Sequence, residues 1–414
     1  MNMRHAIPAN VLKNAKALGV SIPRLDYFDA FLANLVTTKA HDFIAYRVLR
    51  RGELIFDGYY GKHFQGGRRL RTDDIFITQS VTKPFTATCL AILQEDGLVD
   101  FWDKVQDHIP EFVGEGKDEV CLWHLLTHTS GLAVDFNDDY LNSYIENEFG
   151  VVLPEHKGND EARLAVYLDV CEKLGLPRDD AWGSVYNMFG TIALRAPLET
   201  KPRTGFSYNS FGYVMIGRII EQISGMTLEE FMQKRIFQPL EMHDSHFVLP
   251  REKWYRYVTR NPAHRGADWM NSDDAKTSMH PAGGLKMTME DLTRFGQMFL
   301  QNGTLDGARI LSPASVQLMT RDHNSKLPDS YWRGRWLGSN WGFGWDVKNG
   351  KFDDLGMLRS ERSYNHTGYG GSRLLVDPDN ELVAAFYMVE HGEKDACLNN
   401  ATATNVLYSA LDTL

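Results

Sequence analysis

The spacing of apolar residues predicts a chain that starts with a helix and a pair of strands. The first helix is predicted from apolar residues at helical spacing: Leu25, Phe28, Leu32, Leu35 and Val36. Two strand-like runs follow at residues 43–49 and 53–60, and Arg50-Arg51-Gly52 joins them as a hairpin. The N-terminal part is therefore expected to supply one edge of a sheet.

The middle and the end of the chain have different patterns. From about residue 76 to residue 260 the spacing is mainly helical, and strand patterning then returns at 372–376 and 382–389. The turn between these strands is Asp377-Pro378-Asp379-Asn380, whose Pro and Asx residues favour a reversal. A last helix is predicted from the apolar residues Ala403, Val406, Leu407, Ala410 and Leu414.

This order of sheet, helices and sheet predicts an α+β fold. The simplest arrangement joins the terminal strands into one antiparallel sheet, covered by the N- and C-terminal helices, with the central helices as a second lobe. We expect a discontinuous sheet domain from residues 1–75 and 261–414 and a helical domain from 76–260, with an enlarged lid at about 132–205. A cleft between the two would be a common place for a ligand.

Composition narrows the class of protein. A chain of 414 residues with 43% hydrophobic residues can bury a large core, and a net charge of −10 without a basic run argues against nucleic acid as a partner. No apolar segment resembles a signal peptide or a membrane span, so we expect a cytoplasmic protein. The four cysteines are far apart and include no C-x-x-C, which favours reduced thiols over disulfides or zinc ligands.

Ser80-Val81-Thr82-Lys83 is the one Ser-x-x-Lys of the chain. It opens a segment that reads as a helix to Gly97, with one buried face formed by Val81, Phe85, Cys89 and Ile92. Pro84 falls in the first turn, where its missing N–H is tolerated. A Ser and a Lys three residues apart share a helix face, so the amine can reach the hydroxyl and deprotonate it. Taken alone, this spacing also fits an ordinary surface pair.

Three further segments favour a catalytic role for Ser80 and Lys83 over an ordinary surface pair. Residues 123–132, Trp-His-Leu-Leu-Thr-His-Thr-Ser-Gly-Leu, resemble a stretch of serine hydrolases with the class C β-lactamase and penicillin-binding-protein fold. Phe206-Ser207-Tyr208-Asn209-Ser210 resembles their Tyr motif, and His366-Thr367-Gly368 resembles their Lys/His-Thr-Gly motif. Residues 281–285 (Pro-Ala-Gly-Gly-Leu) and 341–345 (Trp-Gly-Phe-Gly-Trp) are also similar to recurrent stretches. The resemblance runs from about Phe43 to the C-terminus with the motifs in the family's order.

The resemblance implies a β-lactamase/transpeptidase-like fold and a role for each motif residue. Ser80 would be the nucleophile, and Lys83 and Tyr208 would move its proton, with the formal base left open between them. Lys83 can accept a proton only if burial or a neighbouring positive charge lowers its pKa. The oxyanion would be bound by the backbone N–H groups of Ser80 and Tyr369. No metal or cofactor is implied.

Two departures from the lactamase pattern bear on the substrate. His366 stands where Lys is common, and Ser210 stands where an Asn usually follows the Tyr by two. A mostly neutral His is a weaker anchor for the carboxylate of a β-lactam, and a Ser hydroxyl cannot make the two-sided bonds of an amide. Both changes resemble the esterase branch of the family. Ser210, His366, Thr367 and Gly368 are predicted to contact substrate, as is Arg373 if its side chain faces the cleft.

The sequence therefore predicts a serine hydrolase, in first place a carboxylic ester hydrolase. Two alternatives remain open: an amidase, peptidase or β-lactamase on the same scaffold, and a non-catalytic binder of peptide or cell wall. The expected partner is a small ester or amide; the oligomeric state is left open. Gly-x-Ser-x-Gly, the nucleophile elbow of α/β-hydrolases, does not occur in the chain.

Other signals leave two interpretations each. The predicted lid is rich in aromatic residues, which would either wall the substrate site or simply pack the helical lobe: Phe136, Tyr140, Tyr144, Phe149, Tyr167, Trp182, Tyr186 and Phe189. The tryptophans at 332, 336, 341 and 345 would either flank the cleft or pack elsewhere, with packing as the default. His124 and His128 have the spacing of a zinc helix, but no Glu follows the first His, so we expect a structural role.

Overall fold

A computed structural model describes the chain over residues 6–133, 138–154, 160–176, 192–264, 266–325, 327–328, 339–389 and 393–412. Several residues discussed above lie outside these ranges: Phe136, Trp182, Tyr186, Phe189, Trp332, Trp336 and Leu414.

The described strands fall into one large sheet and two short ribbons. The strands are β1 (Phe43–Arg50), β2 (Glu53–Gly61), β3 (Phe76–Ile77), β4 (Lys286–Met287), β5 (Thr304–Leu305), β6 (Ala308–Arg309), β7 (Asp346–Val347), β8 (Tyr364–Gly368), β9 (Ser372–Asp377) and β10 (Leu382–Met388). The large sheet has the order β2-β1-β10-β9-β8-β7, and β3 pairs with β4 and β5 with β6. Every pair is antiparallel.

The described helices surround this sheet and fill the middle of the chain. The first seven are α1 (Ala9–Leu18), α2 (Ile22–Thr37), α3 (Thr82–Glu95), α4 (Val105–His108), α5 (Leu122–Leu126), α6 (Asp138–Phe149) and α7 (Asp160–Lys173). The remaining ones are α8 (Phe211–Ser224), α9 (Leu228–Met232), α10 (Ala267–Met270), α11 (Asp273–Thr277), α12 (Met289–Leu300), α13 (Pro313–Thr320) and α14 (Glu393–Tyr408). The predicted α+β class is confirmed.

The terminal strands pair directly, as predicted. β1 lies beside β10, with Ile44 opposite Met388 and Val48 opposite Ala384. The β1–β2 hairpin turns at Arg51-Gly52, and both residues have positive φ, 53° and 78°. Strands from the two ends of the chain therefore lie in one sheet. The same sheet contains β8, the strand that carries His366 and Gly368.

The two faces of the sheet pack against different helices. One face packs on the terminal helices, where Phe28 of α2 meets Tyr46 edge-on at a ring-centroid distance of 5.1 Å and Tyr46 stacks on Phe386 at 4.4 Å. Helix α12 lies on the other face: a Cβ on Gly296 would lie 2.7 Å from Val383, so α12 approaches the sheet closely. The sheet is therefore buried on both sides, and the prediction that the terminal helices cover it is confirmed.

Helix α3 lies at the centre of the molecule. The sequence predicted one buried face, but every residue from Thr82 to Leu93 is buried. The reason is that α3 packs between α8 of the helical lobe and elements of the sheet side, with Phe85 stacked on Phe295 of α12 at a centroid distance of 3.7 Å. The helix that carries Lys83 is therefore shielded from water all round.

The predicted domain boundaries stay a prediction, but the chain crosses between the sheet side and the helical part near them. Ile75 bridges Tyr257, and β3 pairs with β4 immediately afterwards.

Cys89, Cys121 and Cys171 are buried free thiols. Over the described ranges, no helix has the length and apolar character needed to span a bilayer.

Replacing Phe85 by Ala tests the central position of α3. We expect Phe85→Ala to lower the free energy of unfolding by about 3–5 kcal/mol, because it removes a ring packed on Phe295 and leaves a cavity. The measurement is urea unfolding followed by circular dichroism. As a control, Phe64→Ala removes a ring that is 51% exposed and should change the free energy by less than about 0.5 kcal/mol. Equal effects of the two variants would contradict this account of the core.

Candidate active site

Ser80 lies on a short 3-10 turn, Gln79–Val81, that leads directly into α3. Gln79 has φ 49°, a left-handed conformation that is uncommon outside glycine. The turn is held from outside, because both the N–H and the hydroxyl of Thr78 donate to the carbonyl of Leu285, at 2.9 and 3.0 Å. Ser80 is therefore presented on a sharp, anchored bend.

Lys83 is fully buried and its amine reaches three oxygens. Nζ donates to Ser80 Oγ at 3.1 Å, to Ser210 Oγ at 3.2 Å and to the carbonyl of Ala282 at 3.2 Å. An ammonium has three N–H donors, so this geometry can accommodate each of them. The predicted proximity of Ser80 and Lys83 is present, and burial is one of the two conditions that the sequence analysis set for Lys83.

Residues 281–285 form the wall opposite α3. Besides the Lys83 bond to Ala282, the Thr86 hydroxyl donates to the carbonyl of Pro281 at 2.6 Å, and the N–H of Leu285 donates to Thr82 Oγ1 at 3.1 Å. This contact was not predicted from the sequence. The signal that could have found it is the set of threonines at 78, 82 and 86, a polar stripe at helical spacing in an otherwise apolar segment.

Tyr208 lies over the amine of Lys83. The Nζ atom is 4.7 Å from the centre of the phenol ring, and Tyr208 is buried. Trp341 packs edge-on against the same ring at 5.6 Å, whereas Trp345 belongs to the large core. The structure thus brings together the predicted Ser, Lys and Tyr and adds Trp341 as a neighbour.

The predicted lid contributes described aromatic residues to packing. Tyr167 is fully buried, and Tyr140, Tyr144 and Phe149 pack against the core of the helical lobe. This favours the packing interpretation for the described members of that group.

Ser210 bonds to Lys83 across 127 positions of sequence. Its predicted contact with substrate stays a prediction. The residue stands at the start of α8, and the N–H of Val214 donates back to its carbonyl at 3.0 Å. The Ser at this position therefore has a function in the free protein, which is to accept from the buried amine.

The β8–β9 hairpin lies against the Ser80 turn. A Cβ on Gly368 would lie 2.2 Å from the carbonyl oxygen of Thr78, so only glycine fits there. The Ser372 hydroxyl donates to the same carbonyl at 2.5 Å. Tyr369 follows Gly368 directly in the turn. Thr367, the residue before Gly368, pairs with Arg373 across the two strands. Gly368, directly before Tyr369, therefore packs against the turn that carries Ser80, and the predicted role of the Tyr369 N–H stays a prediction.

His366 faces the phenol of Tyr208, at a ring-centroid distance of 6.2 Å. Its Nδ1 lies 2.9 Å from the carbonyl of Thr367, and because a carbonyl only accepts, Nδ1 carries the proton. Burial, followed by the charge of Lys83, holds the pKa of His366 well below its usual range, so the ring is neutral. Nε2 then presents a lone pair, with no hydrogen-bond partner among the described residues.

Arg373 lies on the opposite face of the sheet from Ser372. It is in register with Phe386, which packs on the terminal helices, and its guanidinium donates to the carbonyls of Gly368 and Ser372 at 3.1 and 2.9 Å. The predicted substrate contact of Arg373 stays a prediction. This placement favours a role in holding the hairpin.

Three buried histidines, His128, His280 and His366, surround Lys83. Burial, and next the charge of Lys83, lowers the pKa of each, to about 3 for His280 and well below the usual range for the other two. All three rings are therefore neutral at ordinary pH. The environment of Lys83 is polar but adds no second positive charge from histidine.

His124 and His128 each accept a hydrogen bond from a backbone N–H. Nδ1 of His124 accepts from the N–H of Cys121 at 2.9 Å, and Nδ1 of His128 accepts from the N–H of Asn209 at 3.2 Å. Over the described part of the chain, no group of three or more His, Cys, Asp or Glu side chains is placed to hold a metal ion.

A separate cavity of about 390 Å³ lies at the edge of the sheet. Its lining includes Asp42, Phe43, Lys62, His63 and Arg260, and none of the Ser80 cluster. This cavity is therefore separate from the residues that are hydrogen-bonded around Lys83.

Comparison with known proteins now adds to this geometry. The family model described as β-lactamase matches residues 28–407. The chain belongs to the β-lactamase family. Members of this family are serine hydrolases and include esterases, β-lactamases and carboxypeptidases. The resemblance inferred from the motifs is confirmed.

Individual members of the β-lactamase family show how far the likeness extends. Penicillin-binding protein 4 of Amycolatopsis lactamdurans is 29% identical over 337 residues, covering 78% of this chain and 74% of that protein. A penicillin-binding protein homologue from Caulobacter crescentus has the same fold, with a TM-score of 0.72, 18% identity and coverage of 95% of this chain and 99% of that one. A family VIII carboxylesterase has a TM-score of 0.68 and 19% identity, with coverage of 94% of this chain and 99% of that one. The β-lactamase/transpeptidase-like fold is therefore confirmed.

The neutral histidines predict how stability depends on pH. The folded pKa of His280, about 3, lies below the ordinary value of 6.5, so below pH 6.5 the unfolded chain binds a proton that the folded protein does not. Stability is thus lost as pH falls from 6.5 toward 3. His280→Asn should reduce this slope by up to about 1.4 kcal/mol per pH unit, because Asn can still accept from the N–H of Ala282 but does not titrate.

The measurement is urea unfolding at pH 7, 6 and 5. An unchanged slope in His280→Asn would show that the His280 ring takes up its proton in the folded state as readily as in the unfolded chain.

Proposed function

We propose that this protein is a carboxylic ester hydrolase that works through an acyl-enzyme on Ser80. The observation that carries the proposal is the 3.1 Å bond between Ser80 Oγ and Nζ of the buried Lys83, with Tyr208 over the same amine. A serine hydroxyl needs a base within hydrogen-bond distance to become a nucleophile. These three side chains supply a nucleophile and two groups able to exchange its proton.

In the acylation step, Ser80 Oγ would attack the ester carbonyl and pass its proton to the Lys83–Tyr208 pair. Collapse of the tetrahedral intermediate breaks the bond to the alcohol oxygen, which takes up that proton and leaves. Water then attacks the acyl-enzyme, gives a proton to the same pair, and releases the acid as Ser80 recovers its hydrogen. Each proton is exchanged between side chains of the protein and the substrate, so the reaction needs no metal or cofactor.

The oxyanion would be bound by the backbone N–H groups of Ser80 and Tyr369. The close approach of Gly368 to Thr78 supports this, because it leaves no room for a side chain between the hairpin and the Ser80 turn. Donors fixed in place before the reaction stabilise the developing charge by about 3–4 kcal/mol each. Arg373 would assist by holding the Gly368 carbonyl from the other face of the sheet.

The preference for esters over β-lactams rests on His366. A β-lactam or peptide carboxylate approaching β8 would meet a neutral ring whose Nε2 carries a lone pair, so no charge-assisted bond can form there. An uncharged ester does not need a cationic partner at this position. Thr367 and Gly368 would contact the acyl group along the edge of the same strand.

A peptidase or β-lactamase activity is the second candidate. It is favoured by the similarity to a protein named penicillin-binding protein 4, and by relatives named putative D-alanyl-D-alanine carboxypeptidase. The nucleophile, base and oxyanion donors would be the same, so only the recognition of the substrate separates the two candidates.

Removing the nucleophile tests the proposed chemistry. Ser80→Ala should abolish labelling by a fluorophosphonate and lower p-nitrophenyl butyrate hydrolysis by at least about 10³-fold, since no other group could form the acyl-enzyme. Intact-protein mass measures the label. As a matched control, Ser207→Ala removes a buried hydroxyl without a hydrogen-bond partner in the described residues and should retain labelling. Equal labelling of wild type and Ser80→Ala would rule out Ser80 as the nucleophile.

The substrate class can be tested separately. Wild-type kcat/KM for nitrocefin should be at least about 10²-fold below that for p-nitrophenyl butyrate, because the lactam carboxylate lacks a cationic partner at His366. His366→Lys should narrow this gap, whereas His366→Gln should not. Nitrocefin turnover comparable to ester turnover in the wild type would instead favour the β-lactamase candidate.

A further inference from the structure

His128 contacts the chain on both sides of Tyr208. Its carbonyl accepts from the N–H of Ser207 at 2.8 Å, and its Nδ1 accepts from the N–H of Asn209 at 3.2 Å. These are the residues immediately before and after Tyr208. One histidine therefore binds the two peptide groups that flank the phenol-bearing residue, once through its backbone and once through its side chain.

The conformation of His128 is unusual and makes this double contact possible. The residue has φ 58°, in the left-handed region that few residues other than glycine and asparagine adopt readily. It is fully buried, and its ring lies 4.4 Å from the ring of Tyr208. The left-handed bend directs the carbonyl and the imidazole toward the same short segment.

Asn209 extends the same support. Its side-chain amide donates to the carbonyl of Ser207 at 2.8 Å and accepts from the N–H of Gly212 at 3.1 Å, in the first turn of α8. The segment that carries Tyr208 is thus tied to His128 on one side and to α8 on the other.

We propose that His128 is a positioning residue, which holds the phenol of Tyr208 in place over the amine of Lys83. This inference rests on the proposed function, since it assigns a purpose to His128 only if Tyr208 takes part in the proton transfers. His128 acts through the Tyr208 segment and exchanges no proton itself: Nδ1 is occupied by the N–H of Asn209, and burial keeps the pKa of the ring far below its usual range.

The alternative is that His128 only contributes to folding, as a buried side chain that caps a backbone N–H. His124 provides the matched control for this alternative. It lies in the same stretch of sequence, is also buried, and its Nδ1 also accepts from a backbone N–H, that of Cys121. It differs in that its bond holds the start of α5 instead of the Tyr208 segment.

The test compares variants that separate the hydrogen bond from the backbone conformation. His128→Gly removes the ring but accepts the positive φ. His128→Asn also tolerates that φ and places an oxygen at the same number of bonds from the backbone as Nδ1, so it can keep the bond to Asn209. His124→Ala removes the control bond within a helix.

We expect His128→Gly to lower kcat for p-nitrophenyl butyrate by about 10- to 100-fold with KM changed less than about threefold, because a displacement of about 1 Å at a reacting group has effects of this size. His128→Asn should recover most of that loss. His124→Ala should lower the melting temperature by a similar amount as His128→Gly, yet leave kcat within about twofold of wild type.

A double-mutant cycle with Tyr208→Phe provides the decisive readout. If His128 acts through Tyr208, adding His128→Gly to Tyr208→Phe should lower kcat by less than about threefold more. Independent, multiplicative effects would overturn the inference, as would equal losses of kcat in the His124 and His128 variants. Full activity of Tyr208→Phe, or of Ser80→Ala, would instead overturn the proposed function, so the two failures are distinguishable.

Discussion

The buried amine of Lys83 is the constraint on which the rest of the site depends. A buried amine is costly unless its N–H groups have acceptors. The acceptors come from three separate parts of the chain: the Ser80 turn, the start of α8 at Ser210 and the loop at Ala282. Meeting this requirement therefore brings Ser80, Ser210 and residues 281–285 together, so that the candidate active site and the packing around α3 form one hydrogen-bond network.

The electrostatic surroundings of Lys83 follow from the same burial. His128, His280 and His366 lose their protons because the interior disfavours a charged ring and the nearby amine disfavours it further. The neutral rings of His128 and His366 pack against Tyr208 and Trp341 without repelling the amine. On β8, His366 offers a lone pair where a lysine would offer a cation, and the proposed preference for esters over β-lactams rests on this difference.

The stretch at residues 123–132 is joined by hydrogen bonds to the chain segments that lead to Tyr208. The carbonyls of Thr129 and Gly131 accept from the N–H groups of Arg203 and Glu199, at 2.7 and 2.9 Å, and His128 continues this ladder to Tyr208. Gly131 has φ 84°, and a Cβ there would lie 2.1 Å from the carbonyl of Thr200. The backbone of this motif therefore holds the chain segment that carries Tyr208.

Local patterns in the sequence predicted strands β1, β2, β9 and β10, helix α3 and the Ser80–Lys83 pair, because periodicity and three-residue spacing are properties of short segments. The order of the motifs added Tyr208 and the hairpin after His366. The burial of α3 on all sides, the sheet face on which Arg373 lies and the acceptors of Lys83 became visible in the folded chain. These depend on contacts between distant segments, such as the Lys83–Ala282 bond across 199 positions, and no local pattern encodes which carbonyl a buried amine will meet.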